Sequence, residues 1–569
     1  MEEQNSMASE KPDLRQDWYI LGPCAVVLLF IVVVSILNPE ASEAFLTKIY
    51  TVFAANTGTF YLWVTCAMVG LAVFFTCSKY GSIRFGEPGE KPEFSNTGWL
   101  ALMFTSGVAG AVLFWSIVEP LWNLATPPQY AAPLSREAYD WSLTYVLMHW
   151  GPVTWPWYCV TALPICYMYH RLKKPVLRIS AVAEPVIGKK ATEGWGGRAL
   201  EIFFIVGLLF SNTAVMGVSL PIVAEAYAAL TGQESTFAMQ LGILAVSTAL
   251  FTTSVTLGLK MGMKTLSYIN AVIAIAMIFY VYAVGPSALL FDSFTNSIGK
   301  MASNFFSMLF WTSPWQPSSF PKDWTIFYCL WMASYGPFMG LFIARISRGR
   351  SVREVLVMGI LGGMAGSYLI HGVFGSYTLF AQQTGLVDAV GILKESGGPL
   401  ALIAVLKTLP LPQIMLVGYC LFSTIFLATS VDSCAYIMAC SSTRKLTVGA
   451  EPALKSRFFW AILQGGLALA ILSMGGLATV KMFANFAGAL MLVPILIALI
   501  AWFKFLKHHD LPAEEIRLAA IKHQRSLQDP SPYLDDHLGK RAHGTPVAAG
   551  ATNADNTVAV GDDKALAEA

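Results

Sequence analysis

The sequence predicts an all-α, polytopic membrane protein with about twelve transmembrane helices. Of its 569 residues, 55% are hydrophobic and only 13% are charged, whereas about 25% of the residues of an ordinary soluble protein are charged. Apolar stretches of roughly 20 residues, the length needed to cross about 30 Å of hydrocarbon, recur along most of the chain. Because so few charges could cover a soluble surface, lipid must solvate the apolar side chains.

Twelve stretches reach the length of a membrane span. They run over residues 18–38, 59–79, 99–123, 141–168, 199–230, 236–257, 265–290, 324–344, 355–379, 412–441, 456–475 and 479–505. Before and after them we expect cytoplasmic tails, residues 1–17 and 506–569, the latter largely disordered because its far end has almost no aromatic side chains. Residues 291–323 combine aromatic with polar side chains and are expected to lie in the external interface.

Lys and Arg gather in every second loop, which predicts the orientation of the chain. Short cytoplasmic loops carry an excess of basic residues. The loops after the even-numbered stretches contain Lys79, Arg84, Lys91, Arg171, Lys173, Lys174, Arg178, Lys260, Lys264, Arg345, Arg348, Arg350, Arg353, Arg444, Lys445, Lys455 and Arg457. The opposite loops hold only scattered basic residues, so both termini are expected in the cytoplasm.

Small residues interrupt the third and the eighth stretch at similar points. Residues 105–111 read TSGVAGA and residues 334–340 read SYGPFMG. Interrupted helices at matching positions are typical of transporters with inverted repeats, which predicts two five-helix repeats, 99–290 and 324–505, after two extra helices in 18–98. Close packing of membrane helices, which also favours small residues, is the alternative interpretation.

The fourth stretch carries three aromatic residues near two prolines. Trp150, Trp155 and Tyr158 could converge on one side of a helix distorted by Pro152 and Pro156. A box of such rings attracts a quaternary ammonium, which donates no hydrogen bonds and is held by the ring quadrupoles. Aromatic side chains at the lipid interface are the alternative.

The eighth stretch decides between these interpretations. Its end, FIARISRGR at residues 342–350, closely resembles the signature segment of the betaine/carnitine/choline transporter family. His149-Trp150 in the fourth stretch and Glu119-Pro120 after the third fit the same family. The resemblance extends over about residues 15–505.

This resemblance implies a twelve-helix secondary carrier with two inverted, LeuT-like repeats, a homotrimer in a bacterial inner membrane. A small quaternary-ammonium zwitterion would be held midway across the membrane and moved by alternating access. By local match, the substrate-binding box is Trp150, Trp155, Tyr158, Trp331 and Tyr335. Met332 departs from the family, which often has tryptophan there, and this leaves open a sulfonium substrate such as dimethylsulfoniopropionate, taken up for osmoprotection or catabolism.

The resemblance also implies residues that couple transport to an ion. In sodium-coupled relatives, the residues matching Phe426, Thr429 and Ser430 help to form a sodium site, and hydroxyl oxygens suit this hard cation. The alternative is that these hydroxyls bond back to their own helix. Asp432, an ionisable group in a membrane helix, is expected to be functional or to pair with a neighbouring helix.

Two positions favour transport without sodium. Lys264 lies where the sodium-independent carnitine exchanger of the family has an arginine in place of one sodium ion, and Met339 matches a methionine that replaces the other. Phe338 is assigned to the same coupling group. Packing and the positive-inside rule could also explain these residues. Exchange or a proton would then drive transport.

Other classes of function fit less well. A channel needs rings of acids or a filter sequence, and an enzyme needs clustered reactive side chains, whereas His149, His170 and His371 stand apart in the sequence. The basic tail of osmosensing betaine carriers is not matched by residues 531–569. We expect no cofactor and no nucleic-acid partner, only the substrate, the lipid bilayer, an ion or proton, and further copies of the chain.

Overall fold

The computed structural model describes residues 13–87, 89–107, 110–174, 178–257, 262–446 and 451–508. It confirms an all-α polytopic membrane protein. The helices are α1 Trp18–Leu37, α2 Pro39–Cys77, α3 Asn96–Gly107, α4 Gly110–Ala125, α5 Arg136–Trp150, α6 Trp155–Cys166, α7 Ser180–Ile187, α8 Lys189–Glu193, α9 Trp195–Thr231, α10 Phe237–Leu257, α11 Gly262–Val284, α12 Ser287–Leu309, α13 Phe327–Ile346, α14 Val352–Ile370, α15 Ser376–Gln383, α16 Ala389–Ser396, α17 Gly398–Lys407, α18 Pro412–Ser441, α19 Leu454–Met474 and α20 Gly476–His508. Short π-helical turns over Pro321–Ile326 and His371–Gly375 extend α13 and α14.

In the described part of the chain, nine helices are long and apolar enough to cross a membrane, or ten if the pair α3 and α4 forms one span. That pair is bent by 52°, at the small-residue motif of the third predicted stretch. The fourth predicted stretch is divided into α5 and α6, and the sixth corresponds to α10. The predicted tails lie mostly outside the described residues.

Two helices occupy the centre of the protein. In the most apolar part of each span, 89% of the residues are buried in α9 and 78% in the span formed by α13 and the π turn before it. The corresponding share is 28% in α1 and in α11. Helix α13 packs against α6 and α20, and α9 packs against α18 and α20. Side chains on α9 and α13 are therefore the ones best shielded by the rest of the protein.

The basic loops meet on one face of the protein. Arg348 pairs with Glu90 at 2.6 Å, and Arg171 donates a hydrogen bond to the carbonyl of Gly86 at 2.9 Å. Asp17 lies between Arg178 and Arg198, at 3.6 and 3.3 Å. These contacts join the segment before α1 to the loops after the second, fourth and eighth predicted stretches.

A two-stranded antiparallel sheet on this face was not predicted. Strand β1, Asp13–Gln16, pairs with β2, Thr443–Lys445, so that Asp13 faces Lys445 and Gln16 faces Thr443. The strands are only four and three residues long, too short for a recognisable alternation of polar and apolar residues. Their pairing depends on the helices that bring the two segments together.

Candidate substrate and coupling sites

The chain breaks between α5 and α6, at Gly151–Thr154. Pro152 supplies no backbone N–H and disfavours helical geometry at Gly151, which has φ −110° and ψ −102°. A side chain at Gly151 would collide with the hydroxyl group of Tyr368. Pro156 causes no distortion, because it lies in the first turn of α6, where backbone N–H groups have no helical partner.

Trp150, at the end of α5, is 7% exposed and lies in a cluster of rings. Its ring centroid is 5.9 Å from that of Trp331, 5.5 Å from that of Tyr328 and 5.0 Å from that of His371. The indole N–H donates a hydrogen bond to the Glu119 carboxylate at 3.0 Å. This bond fixes the ring plane that Trp150 presents to its neighbours.

Trp331 lies in the middle of α13 and is 4% exposed. Besides Trp150, its ring contacts those of Trp115, Phe327 and Tyr328, with centroids 5.8, 5.3 and 6.0 Å away. Its indole nitrogen is buried without a hydrogen-bond partner among the described residues. A buried ring held only by other rings can offer its face to a cation at little cost in hydrogen bonding.

Of the other three predicted box residues, two contact each other and the third lies further along α13. The rings of Trp155 and Tyr158 lie 5.4 Å apart on α6, and the Tyr158 hydroxyl donates a hydrogen bond to the Met332 sulfur at 3.2 Å. Tyr335 follows Trp331 by one turn of α13 and is half-buried, with its ring 6.0 Å from that of Phe338. The structure therefore brings the residues together as Trp150 with Trp331 and Trp155 with Tyr158, joined through α13.

A buried polar network lies behind Trp150, and the sequence reasoning did not assign it a role. Glu119 and His149 are fully buried, and the Nδ1 atom of His149 lies 2.7 Å from a Glu119 carboxylate oxygen. The other imidazole nitrogen lies 3.2 Å from the Thr325 hydroxyl, and Tyr328 donates to Glu119 at 2.5 Å. His149 and Glu119 are 30 residues apart, so the sequence marked each of them only by its local match to the family and did not show that they meet.

The predicted coupling residues lie on three helices. On α18, Phe426, Thr429 and Ser430 are half-buried, and the Thr429 hydroxyl donates a hydrogen bond to the Phe426 carbonyl at 3.0 Å. Phe338 and Met339 are half-buried on α13. Lys264 lies in the first turn of α11, but its side chain is outside the described part of the structure. Within the described residues, no group of three or more His, Cys, Asp or Glu side chains could hold a metal ion.

Asp432 pairs with a neighbouring helix, one of its two predicted roles. Its carboxylate lies 2.8 Å from the guanidinium of Arg457 on α19, and both side chains are only 1% exposed. A buried pair of this kind is costly to break, because removing one partner leaves a charge in a medium that solvates it poorly. The pair thus links α18, which carries Thr429 and Ser430, to α19.

Residues 19–511 match the family model of the betaine/carnitine/choline transporters. The chain belongs to the betaine/carnitine/choline transporter family. It is also 32% identical over 451 residues to the uncharacterized transporter YeaV of Escherichia coli, covering 79% of this chain and 93% of that protein. The predicted resemblance is thereby confirmed.

Membership places the protein among the secondary transporters of bacterial membranes, a class that is not enzymatic. Carriers of this family bind small molecules within the membrane. Buried aromatic faces beside a polar network are suited to such binding, because the rings hold an onium group and polar atoms fix the orientation of the ligand.

Proposed function

We propose that the protein imports or exchanges a small quaternary-ammonium zwitterion of the betaine, carnitine or choline class across the inner membrane by alternating access. The observation that carries this proposal is the buried contact between Trp150 and Trp331, which belong to different predicted repeats. In a carrier with inverted repeats, the substrate site lies where the repeats meet. Residues at this interface change their surroundings when one repeat moves against the other.

The substrate box in this proposal consists of Trp150, Trp155, Tyr158, Trp331 and Tyr335. Burial supports the assignment, because a desolvated cation–π contact is worth about 2 kcal/mol or more, against roughly 0.5–1 kcal/mol at an exposed site. The contact of Tyr158 with Met332 keeps the sulfonium alternative open, since Met332 replaces an aromatic wall with a soft, polarizable side chain.

Coupling in this proposal does not require sodium. Lys264, Phe338 and Met339 would take the place of sodium ions, as the match with the exchanger implies, and exchange or protons would drive transport. The alternative, a sodium ion at Thr429 and Ser430 beside Phe426, would use the same hydroxyl oxygens as ligands. The backbone contact of Thr429 still leaves lone pairs on its oxygen.

We also propose that both termini are cytoplasmic and that the chain assembles as a homotrimer. The contact that joins Asp17 to the basic loop residue Arg178 supports the orientation, because basic loops remain in the cytoplasm. The trimer rests on the family resemblance. The two five-helix repeats, 99–290 and 324–505, belong to the same proposal.

Counterflow in proteoliposomes tests the proposed function. Vesicles containing the purified protein are loaded with unlabelled glycine betaine, carnitine, choline or dimethylsulfoniopropionate, and uptake of the labelled compound is followed with and without sodium. We expect transient accumulation of at least one of the first three compounds in sodium-free buffer. Accumulation of dimethylsulfoniopropionate alone would favour the sulfonium alternative, and counterflow of none of the four would contradict the proposal.

A further inference from the structure

The proposed function leaves the fully buried pair of Glu119 and His149 without a role. We infer that His149 is a proton site coupled negatively to the substrate cation: when the onium group enters the aromatic box, the imidazolium releases its proton. The inference rests on the exchange form of the proposed function, because it takes the box beside Trp150 as the place where the cation binds and because a proton released on binding cannot drive uptake by symport.

The surroundings of Glu119 suit a carboxylate anion. Three groups that can donate hydrogen bonds surround it, namely His149 at 2.7 Å, Trp150 at 3.0 Å and Tyr328 at 2.5 Å. An ionised carboxylate is an acceptor only, with lone pairs enough for all three donors, whereas a protonated one would have to use one oxygen as a donor. A buried anion needs a compensating positive charge nearby.

His149 has satisfied hydrogen bonds in both of its charge states. In the neutral ring, Nδ1–H donates to Glu119 and Nε2 accepts from the Thr325 hydroxyl. In the imidazolium, both nitrogens donate, and the Thr325 hydroxyl turns to become the acceptor. Both ring nitrogens of His149 therefore keep a hydrogen-bond partner whether the proton is gained or lost.

The other ionisable groups around the pair do not compensate Glu119 in the same way. Tyr145, on the same helix, and Tyr328 place their rings 5.7 and 4.6 Å from that of His149. Lys481 and His371 also interact electrostatically with Glu119. The Lys481 ammonium, however, lies over Trp324 at 3.8 Å, close to Asp323 and bonded to its backbone carbonyl.

His371 is the second imidazole near this network. Its ring lies against Trp150 at 5.0 Å, and its Nδ1 atom is 2.7 Å from the carbonyl of Ser367. The described neighbours supply no hydrogen-bond partner for the other nitrogen, so a proton there would leave a buried donor unpaired. Protonation is therefore favoured at His149 rather than at His371.

A single ring separates the proton site from the box. His149 stacks on Tyr328 at 4.6 Å with an angle of 18° between the planes, and Tyr328 lies 6.0 Å from Trp331. An onium group against Trp150 or Trp331 is then near enough to repel an imidazolium and to take over compensation of Glu119. The proton leaves a ring nitrogen for water, the carboxylate keeps its charge, and the substrate replaces the lost positive charge.

The expected result is substrate affinity that rises with pH. Because binding favours neutral His149, the dissociation constant should fall about tenfold from low to high pH, a change within the usual strength of coupling between two sites. Isothermal titration calorimetry with glycine betaine and with choline, in buffers of different ionisation enthalpy, measures both affinity and the number of protons released. Protons should be released at low pH and not at high pH.

Two variants assign the effect to His149. His149→Gln can still donate a hydrogen bond to Glu119 but cannot carry a proton, so the pH dependence and the proton release should be lost. His170→Gln is the matched control, because His170 is also buried but bonds to the Ala344 carbonyl at 2.6 Å, and it should retain both effects.

The outcomes separate this inference from the proposed function. Binding without pH dependence or proton release in the wild-type protein, or retention of both in His149→Gln, would overturn the inference and leave the transport proposal intact. The wild-type measurement decides the matter even if the variant does not fold. Failure of all four proposed compounds to bind or to show counterflow would remove the proposed function, and the inference with it.

Discussion

Replacing Trp331 tests most directly whether the aromatic cluster holds the substrate cation. The ring is 4% exposed and contacts four other aromatic rings, so a cation at its face would be desolvated. The loss of about 2 kcal/mol expected for such a contact corresponds to a roughly 30-fold higher half-saturation concentration for Trp331→Ala. Trp331→Phe keeps a ring face and should raise it only about threefold, the change for roughly 0.6 kcal/mol.

The assay must separate binding from packing. Truncating a buried tryptophan to alanine costs about 3–5 kcal/mol of stability by itself, so thermal unfolding in detergent is measured beside the initial rates of uptake. Trp157 offers a matched control: it lies on α6, is fully buried, and donates a hydrogen bond to Thr65 at 3.2 Å. Trp157→Ala should lower stability comparably without changing the half-saturation concentration.

Two results would refute this reasoning. Equal, small effects of Trp331→Ala and Trp331→Phe would show that Trp331 contributes packing and not substrate binding. An increase in half-saturation concentration for Trp157→Ala as large as that for Trp331→Ala would show that any loss of core volume disturbs the site.

Three further predictions concern charged residues. Arg457→Met should destabilise the protein by about 3–5 kcal/mol, because it removes the cation beside the buried Asp432 carboxylate. Thermal unfolding should show that the double variant Asp432→Leu, Arg457→Met regains most of the lost stability. A double variant as unstable as the single one would exclude this cause. Arg350→Ala should lower turnover more than substrate affinity in initial-rate measurements, because Arg350, just after α13, donates hydrogen bonds to the carbonyls of residues 94 and 95. Normal transport at every substrate concentration would leave Arg350 only a topological role. Lys264→Gln should impair uptake in sodium-free potassium buffer, with partial recovery in sodium; collapse of wild-type uptake without sodium would instead place the protein among the sodium symporters.

The arginines of the loop after α13 make two kinds of contact. Arg348 pairs with Glu90 at 2.6 Å. Although burial opposes it, the Glu87 backbone N–H and Arg348 hold the pKa of Glu90 below its ordinary value. Arg350 instead bonds to two carbonyls and the Asn96 amide and lies over the Trp99 ring. Planar donors suit carbonyls as well as carboxylates.

The sequence by itself determined the class of the protein and its family. Apolar stretches of membrane length are a property of composition along the chain, and the segment at residues 342–350 identified the family before any contact was known. The proposed box residues Trp150 and Trp331 could be named from the same local matches. The helical character of the apolar stretches was predictable for a similar reason, since in lipid each helix satisfies its own backbone hydrogen bonds.

Only the tertiary structure decided which residues act together. Glu119, His149 and Thr325 come from three separate segments, and the distances of 2.7 and 3.2 Å between them follow from how α4, α5 and the turn before α13 pack. No periodicity records such a contact, because a hydrogen bond between helices depends on their relative rotation and depth. Likewise, the partner of Asp432 was decided by the placement of α19, which brings Arg457 against it.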